Sequence, residues 1–173
     1  IIFCTVLSFL LSYPLLLNAM EIKSRYVTLQ YDNRSVLISC NEKITLKEKP
    51  AANAQQSNIP TVEDQIRIKI DTIIERVETV MELFPVPLHF TIALLVDADA
   101  VAAVYTEKYG KSIKNSAFYS LSEDTIYISV KDLHNGMLVH EISHAITDNY
   151  FDFRLPYNVY ELMAQFTERH IAD

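Results

Sequence analysis

The sequence predicts an α+β domain, a mixed β-sheet packed against helices and closed by two helices that lie back to back. Three features carry this expectation. Hydrophobic spacing switches along the chain between the helical and the strand period. A long pattern from Thr61 onward places Ile66, Ile70, Ile73, Ile74, Val77, Val80, Met81 and Phe84 at the 3.6-residue repeat. Residues 133–147 and 155–166 read as two further helices, joined by a reversal through Asn149 to Pro156.

Residues 1–17 are almost wholly apolar and carry no charge, and Asn18-Ala19-Met20 and the charged Glu21-Ile22-Lys23 follow. This reads as a secretory signal peptide over residues 1–19, cut after Ala19, and such a signal expects a basic segment ahead of Ile1. The competing reading is an uncleaved signal anchor, although a span needs about 20 apolar residues and Pro14 interrupts this one. The expected location is therefore exported, periplasmic or secreted, with membrane attachment only if the segment stays uncleaved. Cys4 goes with that segment, so Cys40 is left alone and no internal disulfide is expected. Cys40 itself reads as a half-buried strand residue.

Residues 20–60 are expected to form an N-terminal β-hairpin and a linker. The hairpin strands are residues 26–31 and 35–39, turning at Asp32-Asn33-Arg34. Residues 47–60 have few large apolar side chains and two prolines, the composition of a linker. Residues 61–173 form the main domain. Thr61 caps its first helix with Asp64 three residues on, and Pro85 and Pro87 stop it. A buried strand follows over 88–96, then a helix over 98–109 closed by Gly110. Residues 117–130 form one strand, or a hairpin turning near Ser122-Glu123-Asp124. About 150 residues beyond the signal suffice for one domain with a real core. The net charge of −7, without a basic cluster, argues against nucleic-acid binding.

The helix over 133–147 contains His140-Glu141-Ile142-Ser143-His144, an HExxH pattern. Residues i and i+4 are about 40° apart around a helix and about 6 Å along it, so both imidazoles project from one face and can share a metal. Two such ligands leave room for a third ligand and a water. Glu141 directly follows the first histidine, where its carboxylate can take a proton from that water while holding no ligand position. Glu161 lies seventeen residues after His144, an interval that fits the end of one helix, a reversal and a return on an antiparallel neighbour. Ala164, one turn further on the same face, removes bulk where the two helices approach. Glu161 is the natural third ligand.

With these residues the chain resembles the gluzincin metallopeptidases, in particular the small peptidase-MA-like group with the pattern HExxHA…P…ExxA. The likeness covers roughly residues 117–166, including Phe118-Tyr119, Thr125-Ile126-Tyr127-Ile128-Ser129 and both helices. It implies a zincin-like fold, Zn²⁺ held by His140, His144 and Glu161, and Glu141 as general base. Two positions depart from the family. Leu162 stands where Gly commonly follows the third ligand. Gln165 stands where thermolysin-like relatives carry an imidazole-orienting Asp, and its amide oxygen accepts an N–H more weakly than a carboxylate does. The metzincin pattern fails at Thr147 and Tyr150, where it needs Gly and a third His.

The remaining candidates are weaker. His134 is about 240° from His140 around the helix, His170 is near the far side of the last helix, and His89 starts a strand; each reads as structural or solvent-facing. Asp148 is one turn past His144, placed to hydrogen-bond it or to stand as a solvated charge. Glu168 shares a face with Glu161 but sits about 10 Å along, too far for the same ion. Oxyanion stabilisation needs a donor, and Tyr150, Tyr157 and Tyr160 are the available phenols. Phe118-Tyr119 stand where relatives bind an extended substrate by strand addition. The expected activity is an exported zinc metallopeptidase acting on a peptide or protein substrate. The alternatives are a catalytically inactive zincin-fold metal-binding or structural module, and an accidental motif in an ordinary helical domain.

Overall fold

The computed structural model describes residues 19–46 and 60–171. Its organising constraint is that strand β2 (Val27–Tyr31) pairs parallel with β3 (Phe90–Leu95). Parallel neighbours need a crossover, because the chain leaving one must return to the opposite end before starting the next. The crossover carries two helices, α1 (Arg34–Lys43) and α2 (Val62–Met81). The hairpin expected over residues 26–39 is thereby corrected: its first strand is real, and its second is the helix α1. Asn33 is the reason. Read as a turn residue, it is the N-cap of α1, its side chain accepting the Val36 N–H at 3.2 Å. Val36, Leu37, Cys40, Asn41 and then Ile44 bury one side of this segment at helical spacing. Cys40 is accordingly a buried helical residue, with burial pushing its thiol up to about 12.

A hairpin does exist one step earlier. Strand β1 (Met20–Lys23) pairs antiparallel with β2, in the charged stretch assigned to the flank of the signal segment. Residues 20–46 thus give two strands and a helix to the same sheet and core as the rest. Residues 1–18 of the signal peptide expected over 1–19, and residues 47–59 of the linker expected over 47–60, lie outside the described residues. Among those described, no helix is long and apolar enough to cross a membrane.

The other elements follow the sequence closely. Thr61 and Asp64 form a reciprocal capping box on α2. Ile66, Ile70, Ile73, Ile74 and Val77 are its buried stripe. The helix stops earlier than its prolines require, at Glu82 in the left-handed conformation with φ 54°, which leaves Phe84 exposed. Helix α3 (Ala98–Tyr109) runs from the Asp97 cap to Gly110, whose φ of 65° suits glycine. Residues 117–130 form a hairpin of β4 (Ala117–Ser120) and β5 (Thr125–Ser129).

The result is α+β: the described residues form five helices and a five-stranded mixed sheet in the order β1-β2-β3-β5-β4. Side chains alternate across it. Phe90, Ile92, Leu94, Ile126 and Ile128 enter the large core with α1, α2 and the helix α4 (Asn135–Tyr150), while Ala93, Leu95, Phe118 and Tyr127 pack under α3. Burial on both faces explains the nearly unbroken apolar run of β3. The last helix, α5 (Tyr157–Ile171), returns along α4: Asp148 meets Tyr160, His144 meets Glu161 and His140 meets Glu168, an antiparallel order. Ala164 on α5 is fully buried, as its small size anticipates.

Enlarging that residue tests the packing. Ala164→Leu should destabilise the protein by about 1–3 kcal/mol through overpacking. Leu162→Ala, at a site 67% exposed on the same helix, should stay within about 0.5 kcal/mol of the parent. Urea denaturation of both variants checks the contrast.

Candidate metal centre

Helix α4 presents His140 and His144 one turn apart, with ring centroids 4.9 Å apart and planes at 87°. Glu161 on α5 answers both: its Oε2 is 3.6 Å from His140 Nε2 and its Oε1 is 3.4 Å from His144 Nε2. One ligand atom from each of the three residues falls within 4.8 Å of the others, a group able to hold a metal ion. The three side chains singled out by spacing are thus brought together.

Glu141 stands beside them in a drier setting. It is only 8% exposed, and the backbone N–H of Tyr119 on β4 donates to its carboxylate. Burial pushes its carboxyl up to about 8, with the charge of Glu161 adding to the rise. Burial also pushes His144 down to about 4, reinforced by His140 and opposed by Glu161. The imidazole is therefore held neutral, the form that binds metals. A carboxyl that titrates near neutral pH, next to a neutral imidazole, is suited to accepting and returning a proton.

The surroundings correct several expectations. Asp148 does not bond His144. Its oxygens accept the Tyr119 phenol at 3.0 Å and the Tyr160 phenol at 3.1 Å, and the Tyr160 ring stacks on His144 at 5.4 Å. The Nδ1 of His144 is buried and has no hydrogen-bond partner among the described residues. Gln165 is exposed, and it is Glu168 that reaches a histidine, its Oε2 lying 3.4 Å from His140 Nδ1. Glu168 is not one of the three residues of that group, yet it touches His140 on the ring nitrogen turned away from Glu161. Its seven-residue offset from Glu161 held the signal: on an antiparallel partner, two turns forward means approach to a residue earlier on α4.

The other histidines have separate tasks. His134 caps α4 by accepting the Met137 N–H, His89 bonds Thr28 and His170 stacks on Phe166. Among the three phenols, Tyr160 is committed to Asp148 and Tyr150 packs edge-on against Phe151. Tyr157 faces the open side. It is 78% exposed, and its phenol is raised by the charge of Glu161 first and burial second. With Arg154, Tyr105 and Phe118 it lines a cleft of about 310 Å³ that opens onto His140, His144 and Glu161.

Sequence reasoning had no means of finding the link that runs from this site to the hairpin. The Tyr119 phenol lies 2.8 Å from Asp124 as well as 3.0 Å from Asp148, and Asn149 donates to Asp124 at 3.1 Å. Burial raises the Asp124 carboxyl, against the lowering hydrogen bonds of Tyr119 and Asn149, while Asp148 adds to the rise. A raised acid stabilises the fold below its unfolded value and loses that contribution as pH climbs through the folded one. Asp124→Asn should therefore gain on the parent as pH rises from about 3.5 towards 7, with the left-handed backbone at φ 47° tolerated by Asn. Urea midpoints measured across that range would show a constant difference if Asp124 were unperturbed.

No family model, curated protein or solved structure matches this chain.

Proposed function

We infer that the protein is a zinc metallopeptidase of gluzincin type on a zincin-like fold, exported by its apolar leader. One observation carries the reading: His140, His144 and Glu161 converge beside a buried Glu141 at the mouth of a cleft. The donor set fits zinc. Ligands about 2.0–2.1 Å from an ion at tetrahedral angles stand roughly 3.3–3.4 Å apart. His140 Nε2 and His144 Nε2 stand 3.6 and 3.4 Å from the two different oxygens of Glu161, close to that edge, and one donor atom from each of the three residues lies within 4.8 Å of the others.

Zinc held there supplies Lewis acidity to a scissile carbonyl and to the attacking water. The protein's residues provide the rest. Glu141 takes the proton of the attacking water and returns it to the leaving amine. The free edge of β4 receives the substrate. The Ser129 N–H bonds the Ser116 carbonyl, so by antiparallel alternation Phe118 and Ser120 bond β5 while Ala117 and Tyr119 turn outward. An extended peptide added at this edge lies along the cleft. Tyr157, with a solvent-facing phenol one turn before Glu161, is the donor best placed for the developing oxyanion. The leader over residues 1–17 supports a periplasmic or secreted site of action.

Two variants separate catalysis from metal holding. Glu141→Gln should keep its zinc and lose about 100-fold or more in turnover of a peptide library. Glu161→Ala leaves two histidines, and its zinc affinity should fall by well over the roughly 100-fold seen when a supporting residue is lost. Zinc stoichiometry and peptide turnover on purified proteins read both. Unchanged turnover in Glu141→Gln, or one tightly held zinc in Glu161→Ala, overturns the assignment; zinc without turnover in the parent indicates a metal-binding module. Tyr157→Phe should lower kcat by roughly 100-fold with little change in zinc affinity, and equal kcat would remove Tyr157 from the reaction.

A further inference from the structure

We propose that Glu168 orients the His140 imidazole for metal binding, and that residue 136 is glycine to make room for the Glu168 carboxylate. The proposal rests on the metal-centre reading above. His140 stands between two carboxylates, with Nε2 3.6 Å from Glu161 and Nδ1 3.4 Å from Glu168. A neutral imidazole has one N–H, and only the tautomer that carries it on Nδ1 leaves the Nε2 lone pair free for a metal. At 3.4 Å the Glu168 carboxylate stands just beyond an ordinary hydrogen bond to Nδ1, and by closing on the Nδ1–H it selects that tautomer. It also fixes the ring plane. A carboxylate performs this better than the amide of Gln165 at the conventional offset.

Gly136 gives independent support. It lies one turn before His140 on α4, where its φ is ordinary, so the backbone conformation does not call for glycine. Glycine within a helix is destabilising relative to alanine. A Cβ at this position would lie 3.0 Å from Glu168 Oε1, 3.5 Å from Glu168 Cγ and 3.3 Å from His134 Nδ1. The Glu168 carboxylate, whose other oxygen faces His140 Nδ1, would have to give by a few tenths of an ångström. Glu168 also borders a hollow of about 170 Å³ with Asn135, Val139 and Arg76, into which a displaced carboxylate can swing.

Zinc affinity by chelator competition tests this on the full chain, with urea denaturation of each variant as the folding control. Glu168→Ala should weaken zinc by about 10- to 100-fold. Glu168→Gln should recover much of the loss, since its amide oxygen can accept the same N–H. Gly136→Ala should weaken zinc although alanine is the better helix former, and adding it to Glu168→Ala should cost nothing more. The visible spectrum of the cobalt-substituted protein should change in Glu168→Ala and return towards the parent in Glu168→Gln. Parent-like zinc affinity in Glu168→Ala, or additive losses in the double variant, overturns the proposal while leaving the metal centre intact. A parent that binds no zinc, or that holds it as well without Glu161, overturns the metal reading and this proposal with it.

Discussion

Helix α4 is enclosed on most of its circumference by the sheet, α2 and α5, and nine of its residues from Leu138 to Thr147 are buried. A helix so placed has almost no solvated face on which to carry polar groups. His140, Glu141 and His144 must therefore be satisfied by what packs against them, and that is α5 on one side and the β4 edge on the other. Burying such groups without partners costs several kcal/mol each. Glu161, Glu168, the Tyr119 N–H and the Tyr160 ring are the partners, and their positions follow from the antiparallel return of α5 and from the hairpin. The position of α5 depends in turn on small residues at the contact, Ala164 on its own face and Gly136 on α4.

The electrostatics of this enclosure favour a cation among the acids. Three carboxylates, Glu141, Glu161 and Glu168, surround two imidazoles, and burial works against charge on His144 and on Glu141 alike. The carboxyl at Glu141 answers by rising to about 8, which is how a buried acid near another acid lowers its energy when only protons are to hand. A divalent ion inverts this logic, because it stabilises the same carboxylates by ionic attraction and prefers the same neutral imidazoles as ligands. On the proposed reading, proton and metal compete for one site of fixed geometry. That competition, more than the presence of the motif, ties the cluster to acid–base chemistry.

Local signals were legible and non-local ones were not. Thr61 with Asp64, Gly110 and the apolar stripe of α2 each act within one or two turns, and the elements they mark stand where the sequence places them. His140, His144 and Glu161 were legible for the same reason, since helical spacing and one short reversal suffice to relate them. Helix α1 was misread because three consecutive apolar residues between serines suit a strand as well as a helix, and only the parallel partner of β2 decides. Strand β1 was hidden by its charges, which a two-stranded edge facing solvent accepts. Glu168 and Asp148 were placed correctly on their helices and misjudged in their contacts. The rotation of α5 against α4 is set by packing that no single segment encodes.

The network around Tyr119 shows why the hairpin and the two helices hold one relative position. Its backbone N–H reaches Glu141, its phenol reaches Asp148 on α4, and through Asp148 it shares a partner with Tyr160 on α5, whose ring lies on His144. One phenol has one proton, so it cannot donate at once to Asp124 and Asp148; the raised carboxyl of Asp124 eases the conflict by holding a proton of its own more readily. The β4 edge and the His144 imidazole, which the proposed reaction would use for substrate and metal, are thus braced by a single residue. In the proposed reaction the peptide and the attacking water must meet within a few tenths of an ångström, and rigid positioning is the part of such chemistry that a fold can supply. A loose β4 would leave Glu141 without its backbone donor and the edge without a fixed distance to His144. The tyrosine serves both requirements because it sits where the sheet ends and the two helices begin.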